Sequence, residues 1–230
     1  SWLSVGHDEY WSREMRGHVE AARDQGIGLG FFSANTCYWQ IRLEPSLLTG
    51  EPNRTMVSYK EVALQEDPLA LDGDPSNDGL ITVQWREAPV HRPEHELLGV
   101  MYETVPVDGD VLITQPSHPL FNGVTLPSDH RLLGLLGYEI DRAFPGGPTG
   151  LTILAHSPYQ RDGQVVYGDM TLYQAPSGAP VFASGTIQWS WGLDDYNAPA
   201  LRTARSSEAA QQITGNVLKL LTGKAITGAP

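Results

Sequence analysis

The chain opens with a short, largely apolar run, Trp2-Leu3-Ser4-Val5-Gly6, which reads as a strand. A polar cluster, Gly6-His7-Asp8-Glu9-Tyr10-Trp11, follows, and then Ser12, a residue suited to cap a helix. Met15, Val19 and Ala22 recur at helical spacing, Glu14 favours the positive end of the helix dipole, and Gly26 stands where a left-handed cap is wanted, so a helix is predicted over 12–25. Gly28-Leu29-Gly30-Phe31-Phe32-Ser33 then reads as a buried strand. Strand, helix, strand over residues 2–33 predicts two parallel strands joined by a right-handed connection. In open sheets of this kind ligands collect outside the carboxyl ends of the strands. Both the 7–11 cluster and Asn35-Thr36-Cys37-Tyr38-Trp39 fall there.

Farther along, Thr55–Lys60 and Leu80–Trp85 carry strand patterns, separated by an acidic, Pro/Gly/Asp-bearing stretch at 61–79 that reads as an exposed excursion. Short β runs at Val111–Thr114, Leu151–Ala155, Val165–Tyr173 and Val181–Ser184 predict a mixed extension of the sheet. Ile213, Val217, Leu220 and Leu221 form one apolar stripe with Ser206 or Ser207 as cap and Gly223 as terminator, which predicts a final helix; the tail 224–230 is expected to be loose. With no internal repeat or interdomain linker, 1–230 reads as a single α/β domain: a mainly parallel sheet flanked by helices, with extra β segments in its C-terminal half.

Composition narrows the partners. Among 230 residues, 40% are hydrophobic and 18% charged, which is ordinary for a folded chain. The formal net charge of −12 and only three lysines argue against nucleic acid and anionic membranes. One cysteine permits neither an intrachain disulfide nor a thiolate zinc cluster. No apolar stretch approaches the ~20 residues of a membrane helix, so a soluble protein is expected, with the cytoplasm favoured and the compartment otherwise open. The chain starts at Ser1, almost directly inside a strand, and upstream residues of a longer polypeptide are expected.

Four consecutive side chains, His7, Asp8, Glu9 and Tyr10, can each carry protons or bind a metal. In an extended segment alternate side chains share a side, which pairs His7 with Glu9 and leaves Asp8 and Tyr10 opposite. The competing reading makes Asp8 or Glu9 a helix cap and Tyr10 and Trp11 core. Asn35 either orients a substrate carbonyl or opens an Asx-turn. Cys37 lacks the neighbouring small glycines of a nucleophile elbow and reads as a buried small hydrophobe. Glu139, set among apolar residues in Gly137-Tyr138-Glu139-Ile140-Asp141, is either a tuned acid/base near Glu9 or half of a salt bridge with Arg131 or Arg142. Pro93-Glu94-His95-Glu96 is a weak metal signature and fits a solvated helix face. Trp189, Trp191 and Tyr196 are either packing or a pocket wall.

The sequence resembles the C-terminal domain family of the N,N-dimethylformamidase large (beta) subunit. The resemblance rests on Gly6-His7-Asp8-Glu9-Tyr10-Trp11-Ser12, Met15-Arg16, Phe32-Ser33-Ala34-Asn35, Tyr38-Trp39-Gln40-Ile41-Arg42, Tyr59-Lys60, Asp67-Pro68, Gly137-Tyr138-Glu139, Ser177-Gly178-Ala179 and Asn216-Val217-Leu218. It implies a class I glutamine amidotransferase-like sheet without cysteine chemistry, and hydrolysis of a small amide at a mononuclear iron held by two tyrosinates and a glutamate. On this chain the ligand glutamate corresponds to Glu9, the histidine and asparagine that orient substrate to His7 and Asn35, and the general base to Glu139. The resemblance puts both tyrosinates upstream of His7-x-Glu9, with Tyr10 and Tyr38 as weaker stand-ins. A homo-oligomer fits this reading. The alternative is a non-enzymatic domain on the same fold, holding a ligand or partner through Trp39, Trp189 and Trp191.

Overall fold

In the computed structural model, which describes residues 1–226, Ser12 Oγ accepts the Met15 N–H at 3.2 Å and so satisfies one of the open donors of the first turn. The helix that follows, α1 (Arg13–Asp24), is preceded by β1 (Trp2–Val5) and a three-residue strand β2 (Tyr10–Ser12). After it, Gly26 takes φ +88° and the chain enters β3 (Leu29–Phe32). β1 and β3 are parallel, with Trp2 opposite Leu29 and Val5 opposite Phe32. This first unit has the predicted form.

The chain continues through β4 (Trp39–Glu44), β5 (Thr55–Val57), three one-turn helices α2 (Ala63–Glu66), α3 (Pro68–Leu71) and α4 (His95–Leu98), and the long strands β6 (Met101–Leu112) and β7 (Arg131–Arg142). It ends with β8 (Thr152–Arg161), β9 (Gln164–Gln174), β10 (Pro180–Ala183), the short α5 (Ala198–Leu201) and α6 (Glu208–Leu221). The main sheet has the order β1-β3-β10-β9-β8; β2, β4 and β5 form a second sheet, and β6 and β7 a two-stranded ribbon.

The fold is mixed α/β, and the mainly parallel sheet expected from the first unit is corrected. Parallel pairing is confined to β1, β3 and β10 and to the short β2–β4 contact, whereas β10–β9, β9–β8, β4–β5 and β6–β7 are antiparallel. Parallel neighbours need a long crossover, whereas β8 and β9 are joined by Asp162-Gly163 alone, both at positive φ, a turn that forces the chain straight back. Leu80–Trp85, expected as a strand, makes only a single bridge from Gln84 to Trp39. Its Ile81, Val83 and Trp85 are buried all the same, so its pattern reports burial without a strand partner. The 61–79 excursion is anchored, not free: Ala63 and Asp67 are fully buried, and Asp67 accepts from Arg42 at 2.6 Å and from the Thr82 hydroxyl at 3.0 Å.

β3 separates two cores. Leu29 and Phe31 pack with Trp11, Val19 and Trp85 on the α1 side, and Phe32 packs with Leu136, Trp189, Ile213 and Val217 on the α6 side. A Cβ on Gly28 would lie 2.6 Å from the Leu221 carbonyl oxygen, so glycine is what lets the end of α6 close on the start of β3. α6 is capped by Ser207, which accepts from Ala210 N–H. Of the tail, residues 227–230 lie outside the described residues. Among the described residues no helix is long and apolar enough to cross a membrane.

Candidate active site

At the carboxyl end of β1, Gly6 N–H donates to Phe32 O at 3.1 Å and the chain turns over the edge of the sheet. The two polar clusters then run side by side: Cys37 N–H donates to Asp8 O and Tyr38 N–H to Glu9 O, both at 2.9 Å. The alternation expected for residues 7–10 is present. Asp8 turns back to accept from Ser4 Oγ at 2.7 Å, and the Tyr10 phenol meets Lys60 Nζ at 2.6 Å. His7 and Glu9 share the other side, with His7 Nε2 3.5 Å from a Glu9 carboxylate oxygen. Neither acid caps α1, because Ser12 does so, and Trp11 is core.

Glu139 arrives from β7 at the same ring nitrogen, its Oε2 3.1 Å from His7 Nε2. That approach is not aligned as a hydrogen bond, and Glu139 Oε2 is buried without another donor among the described residues. The expected alternative partners are engaged differently: Arg142 pairs with Glu103 at 2.9 Å, and no ion pair joins Glu139 to Arg131 among the described residues. Two carboxylates thus converge on one nitrogen of a half-exposed imidazole.

Asn35 lies just past β3 with φ +51°, a left-handed conformation that asparagine tolerates better than most residues. Its backbone N–H donates to Asp141 Oδ1 at 2.7 Å. Its side-chain Oδ1 is buried with no partner among the described residues, so the carboxamide is held by its backbone and not by its own hydrogen bonds. Asp141 shares the inward face of β7 with Glu139, two positions away. Burial, opposed by the Asn35 N–H, pushes its carboxyl up to about 8, and Glu94 and Glu139 add to the rise.

One wall of the site is aromatic. The Tyr38 and Tyr102 rings meet edge to face at 5.1 Å, and the Arg86 guanidinium lies 5.2 Å over Tyr38 while gripping Glu94 through contacts of 2.7 to 3.1 Å. Burial raises the Tyr38 and Glu94 pKa values and takes Tyr102 to about 12. The Pro93–Glu96 segment is therefore not the solvated face expected of it, since Glu94 and His95 are both buried. Sequence reasoning passed over Asp141, Tyr102 and Arg86, and set Glu94 aside as part of a solvated helix face. For Asp141 the signal was present, because strand alternation from Glu139 reaches it at the next inward position.

Cys37 sits in a left-handed elbow at φ +55° although no glycine flanks it, so the bend expected to be forbidden does form. The thiol is nonetheless wholly buried in the α1-side core, and burial pushes its pKa far up. Of the tryptophans expected in a binding crevice, Trp39 and Trp189 are buried, and Trp189 donates to Thr214 at 2.9 Å. Trp191 alone is partly open, and Tyr196 stands free in solvent.

The profile of the N,N-dimethylformamidase beta subunit-like C-terminal family matches residues 1–202. The chain belongs to this family. A search of curated proteins found no match to it. The family's name is that of an amide-hydrolysing enzyme's subunit, and the matched region contains His7, Glu9, Asn35, Glu139 and Asp141, with α6 beyond it.

As a donor set for iron, the described residues of this dimethylformamidase-like domain are incomplete. No three His, Cys, Asp or Glu side chains among them group as a metal would require. Tyr10 is held by Lys60, and burial of Tyr38 disfavours its phenolate. Glu9 and Glu139 are alike in that, apart from the His7 approach, neither carboxylate meets a side-chain partner among the described residues.

Proposed function

We propose that this domain hydrolyses the carbon–nitrogen bond of a small formamide, releasing formate and an amine. The observation that carries the reading is the convergence of His7 on Glu9 and Glu139 just past β1, with Asn35 just past its parallel neighbour β3 and its carboxamide making no hydrogen bond of its own to the described residues. Glu139 acts as general base: its carboxylate takes a proton from water as the oxygen attacks the formyl carbon, and returns that proton to the departing nitrogen. Asn35 Nδ2–H and His7 Nε2–H hold the carbonyl oxygen as it gains negative charge. Asp141 fixes Asn35 through its N–H, and the Tyr38–Tyr102 wall keeps bulk water from that side.

Glu9 is read as one ligand of an iron whose remaining ligands lie outside the described residues, consistent with a longer polypeptide; such an ion would polarise the carbonyl as a Lewis acid. The amidotransferase-like origin of the scaffold is part of the same reading and is supported by the parallel β1–α1–β3 unit with chemistry at its strand ends.

The test is Glu139→Gln in the full-length protein, assayed with N,N-dimethylformamide alongside bound iron and thermal midpoint. The amide keeps the shape and loses the proton acceptor, so folding and metal content should hold while turnover falls ~10²-fold or more. Unchanged turnover per folded molecule would rule out the general-base role.

A further inference from the structure

His7 also lines a second feature, an open cavity of about 770 Å³ formed by β6, β7, β8 and the segments 187–191 and 202–205. That volume lies within the ~300–1,000 Å³ typical of sites for drug-sized ligands and far exceeds what a formamide bearing two methyl groups fills. Its walls are Tyr138, Tyr159, Trp191, Ile187 and Val107, with Arg202 and Arg205 at the rim. Both arginines are already neutralised: Arg205 meets Asp108 at 2.6 Å and Arg202 meets Asp195 at 3.2 Å, and each lies 5.2 Å over the Trp191 ring. No uncompensated cation among the lining residues selects an anion. The wall is instead shaped for a flat, uncharged, apolar group, with Tyr138 outward-facing and more than half exposed beside the inward Glu139.

We propose that this cavity is the subsite for the substituent of the substrate, and that the preferred substrates are neutral formamides carrying an aromatic or comparably large planar group. The inference rests on the hydrolytic reading of His7 and Glu139, with the reacting carbonyl beside His7 and the ring lying along Tyr138, Tyr159 and Trp191.

The experiment uses the full-length protein and compares kcat/KM for N-benzylformamide and N,N-dimethylformamide, while the Trp191 indole N–H resonance is followed during titration with N-benzylformamide. Preference for the benzyl compound by ~10-fold or more, the scale on which extra buried apolar groups discriminate, is expected. A saturable Trp191 shift should accompany it, with both effects reduced in Tyr138→Ala, an exposed position unlike Trp191, which packs on the core. Turnover of N,N-dimethylformamide with no preference and no Trp191 shift would overturn the subsite and leave the hydrolase standing. A saturable shift weakened by Tyr138→Ala, with neither compound hydrolysed, would support the subsite and overturn the reaction. Absence of both hydrolysis and shift would overturn the two together.

Discussion

Replacing Asp141 by asparagine should make the protein progressively more stable than the wild type as pH rises from 5 to 7. The carboxyl is 1% exposed, and burial carries its pKa from an ordinary 3.8 to about 8. The sign follows from proton counting: between those two values the folded state keeps a proton that the unfolded chain releases, so wild-type stability falls with rising pH. The slope is about 1.4 kcal/mol per pH unit, which over two units comes to about 3 kcal/mol. Asparagine keeps the shape and an oxygen to accept the Asn35 N–H, but has nothing to ionise. Glu94 and Glu139, which face Asp141 and raise its pKa, are present in both proteins, and so is Arg86, which opposes them; their own direct contributions largely cancel in the difference. Urea unfolding of wild type and Asp141→Asn at pH 5, 6 and 7 reads the difference directly. A gap that stays constant would show that Asp141 does not titrate in this range. A gap that opens in favour of the wild type would show a carboxylate held ionised by the Asn35 N–H and Arg86, reversing the electrostatic account of the site.

Asn35→Gly keeps a backbone that accepts φ +51° while deleting the carboxamide, so thermal midpoint should change little and formamide turnover should drop by ~10²–10³-fold, the usual effect of removing one oxyanion donor. An unchanged rate would remove Asn35 from the mechanism. Cys37 should react with thiol reagents only as fast as the protein unfolds, because its thiol is buried and its pKa raised. Rapid labelling of folded protein with loss of activity would restore the nucleophile reading.

What was legible in the sequence is what local rules govern. The Ser12 cap, helix α1, Gly26 and the parallel β1–β3 pair all depend on residues within one turn or one short connection, and all formed, although Met15 of the expected stripe is exposed and Arg16 is buried with Val19 instead. The His7–Glu9 pair was readable for the same reason, since alternation alone puts the two side chains together and sends Asp8 to Ser4. Leu80–Trp85 failed as a strand because its alternation tracks burial, and its pairing with the chain at Tyr38–Gln40 stops at one bridge and two backbone hydrogen bonds, since β5 takes that side of β4 from Arg42 onward.

The far half of the site depends on register, and register is not a local property. Asn35 and Asp141 are 106 residues apart, and their 2.7 Å bond requires that β7 pair with β6 in the register that brings Asp141 to the end of β3; both faces of β7 are packed along this stretch, with Leu136 and Ile140 buried in the α6-side core. Gly137 shows how tightly that arrangement is specified: its φ is +142°, and a Cβ there would lie 2.1 Å from the Val107 carbonyl oxygen. A side chain at 137 would push β7 away from β6 two residues before Glu139, moving Glu139 from His7 and Asp141 from Asn35 together. The glycine in Gly137-Tyr138-Glu139 is thus a physical part of the site although it carries no chemistry. A one-residue slip of β7 would exchange the sides taken by Tyr138 and Glu139 and carry the carboxylate away from His7, so the roles proposed for both residues depend on the same register.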